Sequence, residues 1–273
     1  MKLVEQEVKV CGECPTDILE AKLWIERAGR TCYNSPMPEV SNPDKFLDKV
    51  MANDPPHSSM FEHSNLVLGV TDDSTLHKYA SKWLTVDDTG ETVLYGNLRA
   101  FMEVLEVDSI DGAIEYTAKD GMFQLPQKAH SREHRRVTVE LHTDRNVLAE
   151  ITRHRDDVGF SVRSQRYVDE QGKMEFVKPS WWNDMDFIQQ ETFILSCKNA
   201  ELNYNTLRKT LPPQHARVVL NGQCKTVIVM TAYLPEWDWV FKLRRSPAAY
   251  PQMRALMNMV YDQFVELGYA QSN

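Results

Sequence analysis

Residues 150–167 read EITRHRDDVGFSVRSQRY, and the rest of the chain is best understood from this stretch outward. Arg153, His154 and Arg155 stand together, and eight residues later come Ser164, Arg166 and Tyr167. Val147, Leu148 and Ile151 are apolar among polar neighbours, so the lead-in has helical spacing. Gly159 and the polar run after it break that spacing. The Arg/His triplet is therefore expected at the C-terminal end of a helix, where the dipole favours cations. The segment beyond it is expected to be a loop offering a hydroxyl, backbone N–H groups and another Arg. Such a set suits an anion such as phosphate. Spacing alone is equally compatible with a solvated basic loop.

Working outward, composition narrows the classes. The chain has 273 residues, of which 42% are hydrophobic, enough for a sizeable core. Its net charge of −8 argues against a general nucleic-acid binder. No apolar run approaches the roughly 18 residues of a membrane span. The N-terminus, MKLVEQEVKV, lacks a signal peptide's apolar centre and reads as one strand, with Leu3, Val8 and Val10 as buried positions. Five cysteines are few for this length and fit a reducing, cytoplasmic setting. Cys11 and Cys14 form a lone CxxC, for which an ordinary turn is expected and no metal site.

Periodicity predicts the elements. Residues 16–29 read as a helix capped by Thr16 or Asp17, and residues 43–53 as a second, opened by Pro43. His57, Ser59, Glu62 and His63 directly precede an apolar strand, placed either to line a pocket or to cap a loop. Residues 96–106 read as an amphipathic helix, 106–120 as acidic and irregular, and HSREHRR (130–136) as a solvated strand entry. VTVELHT (137–143) and KTVIVMTA (225–232) read as strands, and 173–182 as strand then turn. Residues 184–210 read as a long helix with Phe187, Ile188, Cys197, Ala200, Leu202 and Tyr204 among its apolar positions, and 251–267 as a last amphipathic helix.

Arg-His-Arg, eight residues, then Ser-x-Arg-Tyr resembles the signature of the flavin-dependent thymidylate synthases. Three further segments resemble that family in the same order. AGRTCY (28–33) is similar to a segment near the flavin. HSSMFEHSNLVLGV (57–70) is similar to its His-x-x-x-(Phe/Leu)-Glu-His segment. Residues 211–253 are similar to the stretch running from Pro-Gln-x-Ala-Arg through Lys-Thr to an Arg near Gln-Met. The resemblance covers most of residues 20–70 and 140–260. Residues 72–135 are longer than in short members, and GNLRA (96–100) is similar to a segment of the longer ones. HSREHRR matches no family motif.

The resemblance implies an α+β fold, helices packed on a largely antiparallel sheet, as a single domain over 1–273 with an insert at about 72–135. It implies a homotetramer with active sites between subunits. It also implies reductive methylation of dUMP to dTMP, with FAD as hydride carrier, NADPH as reductant and 5,10-methylenetetrahydrofolate as one-carbon donor. By the same correspondence Glu150, Arg153, Ser164, Gln165, Arg166, Arg217 and Arg244 bind dUMP, with Arg244 acting on the pyrimidine. His57, Ser59, Arg153, His154 and Arg155 contact FAD. Arg245 matches no family Arg and reads as a solvated charge.

The chain departs from the family at Tyr233 and Pro235, where members carry Asn and Arg that hold FAD, and at Asn221, where they carry Pro. FAD contacts are therefore not carried over to residues 233–239. No role is carried to Val162, which stands near a polar position of the family, and no cysteine is expected to be a nucleophile. Two other functions stay open on sequence: a related flavin- and folate-dependent pyrimidine nucleotide methyl- or hydroxymethyltransferase, and a nucleotide-binding protein without flavin chemistry.

Overall fold

Two strands rich in β-branched residues build the centre of the molecule. β7 (Arg136–Asp144) and β10 (Lys225–Tyr233) pair antiparallel along their whole length, Tyr233 opposite Arg136 and Lys225 opposite Asp144. β2 (Glu7–Glu13) flanks β7 and β8 (Gly159–Val162) flanks β10, giving the order β2-β7-β10-β8. The computed structural model describes residues 1–15, 17–54, 56–71, 79–81, 83–89, 91–120, 123–126 and 131–271, with backbone alone at 118, 120 and 123–126.

Alternation divides this sheet into two faces. Val137, Val139, Leu141, Ile228, Met230 and Ala232 point to one side. There they pack with α5 (Arg145–Ile151), α8 (Leu234–Arg244) and α9 (Pro251–Glu266), around the fully buried Trp237 and Phe264. Thr138 and Thr231 point to the other side, toward α1 (Ile18–Tyr33), whose Trp24 indole donates to the Thr138 hydroxyl at 2.9 Å.

A second antiparallel sheet has the order β4-β5-β3-β6. Its strands are β3 (Leu66–Val70), β4 (Leu84–Asp87), β5 (Val93–Gly96) and β6 (Phe123–Pro126). It shares a core with α1, α2 (Pro43–Met51), α3 (Leu98–Leu105) and α4 (Ile110–Asp120). The third cluster joins a parallel pair, β1 (Lys2–Val4) and β9 (Glu175–Val177), to α6 (Phe187–Leu207) and α7 (Pro213–Ala216). The architecture is the expected α+β one, with helices on largely antiparallel sheets.

Several local expectations are corrected. The N-terminus forms two strands, and Leu3, Val8 and Val10 are half-buried. Residues 28–33 do not follow α1 but complete it, and Asp17 caps it by accepting from Glu20 N; Thr16 lies outside the described residues. Residues 110–120 are a helix because Ile110, Ala113, Ile114 and Thr117 recur at helical spacing and pack inward. Asp111 and Glu115 face out, Asp111 pairing with Lys22 at 2.7 Å. The stretch after Gly159 is a strand, not a loop. An added Cβ at Gly159 would lie 2.9 Å from Glu62 O, so glycine permits that close crossing.

The basic segment leading into β7 is solvated only in part, at Arg132, Glu133 and Arg135. His134 and Arg136 are buried, 4% and 1% exposed; His130 lies outside the described residues. Arg136 donates to Ser64 O and Asp157 O, each at 2.8 Å, and lies over the Tyr233 ring. On α6, Phe187, Ile188, Leu195 and Leu202 are exposed, so only one stripe through Cys197, Ala200 and Tyr204 reaches the core.

His63 shows how the two sheets are joined. It is fully buried, with Nδ1 2.8 Å from Thr231 Oγ1 and Nε2 3.0 Å from Ser161 Oγ. Burial, and then the nearby Arg136 charge, lowers its pKa to about 3. A histidine with a depressed folded-state pKa stays neutral in the fold, while the unfolded chain takes up a proton below about 6.5. The stability it contributes is therefore full above pH 6.5 and lost as pH falls toward 3. Between pH 6.5 and 5 the chain should lose about 2 kcal/mol through this group. Urea midpoints across that range would measure it. An equally steep loss in His63→Gln would show that other groups cause it.

Candidate functional site

The Arg-His-Arg triplet leaves α5 at its C-terminal end, as expected. Asp144 caps the helix by accepting from Val147 N, and the helix ends at Ile151. The three side chains then diverge. Arg153 and Arg155 are exposed, whereas His154 is buried. His154 turns inward against α8, where Arg244 and Glu236 receive it.

Arg244 is the hub of this cluster. Its Nε donates to His154 Nε2 at 3.0 Å, one terminal nitrogen to Glu150 Oε2 at 2.9 Å, and the other to Glu150 O at 2.8 Å. The guanidinium can only donate, so His154 Nε2 accepts and its proton must reside on Nδ1. Nδ1 in turn lies 3.3 Å from Glu236 Oε1. The line Glu236–His154–Arg244–Glu150 thus assigns the imidazole a neutral tautomer and fixes the plane of Arg244. Arg153 stays near the same carboxylate, 3.4 Å from Glu150 Oε1. Four residues expected from sequence, Glu150, Arg153, His154 and Arg244, are brought together from two helices.

The Ser-x-Arg-Tyr segment forms a separate turn. Ser164 N donates to Cys32 O at 3.0 Å, which docks the turn on the end of α1. Ser164 Oγ accepts from Arg166 N at 3.1 Å, and Val168 N closes the turn on Ser164 O. Gln165 is half-buried and Arg166 is exposed. Tyr167 meets Tyr33 at a centroid distance of 5.8 Å, and Tyr33 Oη lies 2.7 Å from His57 Nδ1. His57, Tyr33 and Tyr167 then edge a groove of about 960 Å³ that also carries Arg30, Lys45 and Lys49. Flat aromatic walls beside three cations suit a planar ring joined to phosphates. The donor set therefore fits a flavin nucleotide. Ser59 is exposed on the short helical turn Ser58–Glu62.

Arg217 is exposed on the turn Arg217–Val219, and among the described residues no hydrogen bond or ion pair joins it to Arg244 or the triplet. Its recorded neighbour is Arg145, which sequence reading missed. Arg145 has one terminal guanidinium nitrogen, Nη1, buried without a hydrogen-bond partner among the described residues. Burial, together with the Arg217 charge, pulls its pKa below the usual guanidinium range. The signal available in sequence was an Arg directly after a capping Asp, which says nothing of the chain that folds over it.

No thiol is activated. Burial pushes Cys197 up to about 11 and Cys224 up to about 12, and it is also the main cause of the raised values of Cys11, Cys14 and Cys32. A thiolate nucleophile needs the opposite shift. A variant with all five cysteines replaced by Ser or Ala should keep product formation, provided its circular dichroism is native. Loss of turnover on changing Cys224 alone, with fold intact, would refute this. Among the described residues no His, Cys, Asp or Glu group is placed to hold a metal, and no helix is long and apolar enough to cross a membrane.

The family model described as thymidylate synthase complementing protein matches residues 106–267, more than half of the chain. The match spans Arg-His-Arg, Ser-x-Arg-Tyr, Arg217 and Arg244, while residues 28–33 and 57–70 lie outside it. No curated protein matches.

Proposed function

We propose a specific reaction from one premise: the chain belongs to the thymidylate synthase complementing protein family, the flavin-dependent thymidylate synthases. The reaction is reductive methylation of dUMP to dTMP, with 5,10-methylenetetrahydrofolate as one-carbon donor and NADPH as reductant. The observation that carries it is the fixed guanidinium of Arg244, held by Glu150 and His154.

A uracil ring must gain electron density at C5 before it can attack a one-carbon electrophile. Arg244, charged and planar beside N3 and a ring carbonyl, favours the electron-rich ring. Glu150, which orients Arg244, is placed to accept from a ring N–H. Ser164, Gln165 and Arg166 form the phosphate cradle, to which Arg153 and Arg217 add charge. His57 holds FAD at the aromatic groove, and Ser59, Arg153 and Arg155, which lie outside that groove's lining, contact FAD beyond it; His154 serves instead through Arg244. When bound, the flavin supplies the hydride that completes the methyl group.

The split between the Ser164 turn and the Arg244 cluster supports a shared site. Among the described residues no hydrogen bond or ion pair joins Arg217 to either within one chain, and the exposed Phe187, Ile188, Leu195 and Leu202 of α6 give copies an apolar face to bury. A homotetramer with sites between subunits accounts for both. The pairing of β5 and β6 with β3, and of β4 with β5, supports one domain with residues 72–135 as an insert.

Reconstitution with FAD should give a yellow protein whose flavin spectrum shifts on adding dUMP, and the product mass should show an added methyl rather than hydroxymethyl group. Arg153→Ala should weaken flavin affinity at least about tenfold, about 1.4 kcal/mol. A colourless protein after reconstitution, or a product of hydroxymethyl mass, would rule the proposed reaction out.

A further inference from the structure

α8 turns two faces to the molecule. Arg244 points to α5, while Asp238, Phe241, Lys242 and Arg245, at helical spacing, line a pocket of about 580 Å³ on another side. Its remaining walls are Arg132 and Arg135 before β7, Tyr261 on α9, and the C-terminal turn with Tyr269. We propose that this pocket is a second ligand site, and that it takes a nucleoside polyphosphate.

The charge balance carries the first half of the argument. Four cations face the pocket. Arg132 is neutralised by a two-bond pair with Asp238 at 2.7 and 2.8 Å, and Arg135 by a two-bond pair with Glu13. Lys242 and Arg245 are in no ion pair among the described residues. Arg245 is also not the solvated charge expected from sequence. Its Nε donates to Asn258 Oδ1 at 2.9 Å and its plane lies 3.5 Å over the Tyr261 ring. That grip leaves its two terminal nitrogens as an oriented fork, the geometry that binds phosphate by two parallel bonds. Lys242 Nζ, 5.3 Å from the Trp239 ring, adds a mobile point charge. The chain as a whole carries −8, so this excess of cations is local.

The walls carry the second half. Tyr261 and Tyr269, each with an arginine over its ring (Arg245 and Arg135), present apolar ring edges for a base, with the largely buried Phe241 behind them. The carbonyls of Tyr269 and Gln271 each accept one protein hydrogen bond, from Arg132 and Tyr261 Oη, and a carbonyl can accept two. The volume is in the range of small-molecule sites. A purely architectural role explains the Arg245–Tyr261 stack, which ties α8 to α9. It does not explain Lys242, which among the described residues makes no ion pair or hydrogen bond and only approaches Trp239 of its own helix.

Equilibrium dialysis of the full chain with ATP and with dTTP, at about physiological salt, tests the site. One saturable site per chain is expected for at least one of them, unchanged in Arg244→Lys. It should weaken at least about tenfold in Arg245→Gln and in Lys242→Gln. Lys242 is exposed, so its variant keeps the test decisive if Arg245→Gln fails to fold. Inorganic triphosphate should bind at least about tenfold more weakly than the nucleotide. Absence of a saturable site, indifference to both variants, or equal affinity for inorganic triphosphate would each overturn the proposal.

Discussion

Arg244→Lys is expected to lower kcat for dTMP formation about a hundredfold or more, the scale of losing one preorganised charge-stabilising donor. The reason lies in what Arg244 already touches. Three of its N–H groups are fixed on His154 Nε2, Glu150 Oε2 and Glu150 O. A lysine ammonium keeps the charge but cannot span the imidazole and the carboxylate in one plane. It would leave His154 Nε2 without its donor, freeing the imidazole to change tautomer. The proposed transition state needs a fixed cation beside the pyrimidine, so the loss should fall on kcat more than on KM. Arg217→Ala should do the reverse and raise the dUMP KM more than it lowers kcat. Arg217 stands exposed and apart from Arg244, so its effect should fall on binding. Steady-state kinetics with flavin content and thermal midpoint checked in each variant would decide. A near-normal kcat in a folded, flavin-loaded Arg244→Lys enzyme would remove Arg244 from the chemistry.

The largest expected effect on stability is at Arg136. Replacing it by Met should cost about 3 kcal/mol or more. The side chain is 1% exposed and donates at 2.8 Å to both Ser64 O and Asp157 O, with Thr231 O at 3.4 Å. Methionine fills much of the volume but donates nothing, and each buried acceptor left unmet costs about 1–3 kcal/mol. The guanidinium also lies 4.9 Å from the Tyr233 ring centroid, a contact that the thioether replaces only weakly. Ser64 precedes β3, Asp157 precedes β8, and Thr231 is on β10, so the loss should loosen the junction between the two four-stranded sheets. Urea unfolding should show a lower midpoint at similar slope. The same variant should raise the His63 pKa, because the Arg136 charge helps to depress it. A midpoint shift worth less than about 1 kcal/mol would show that water or neighbouring donors replace Arg136.

Residue patterns along the chain carried much of the fold. Period-2 alternation in 137–143 and the β-branched run in 225–232 marked the two central strands, and Pro43 and Asp17 marked helix starts. These features are local: a strand face or a cap depends on residues within a few positions, so spacing reveals them. The placing of the Arg/His triplet just after a helix was legible for the same reason. The family was legible because four segments kept their order.

Tertiary structure decided what depends on residues far apart. HSREHRR looks like a solvated run, yet β7 carries Arg136 into the junction between sheets, where carbonyls from three segments meet it. The 110–120 stretch looks irregular because its charges are conspicuous, but its few apolar residues gain a surface once α3 lies beside them. His154 stands between two arginines in sequence and points away from both, because α8 supplies Arg244 and Glu236 from more than eighty positions further on. Arg244 and Arg245 are neighbours whose side chains meet different elements, Arg244 the end of α5 and Arg245 the side of α9, since adjacent positions on a helix face different directions. The sequence by itself determined the residue types, their order and the local elements. Which of those residues meet, and which are desolvated enough to matter, was set by packing over long separations.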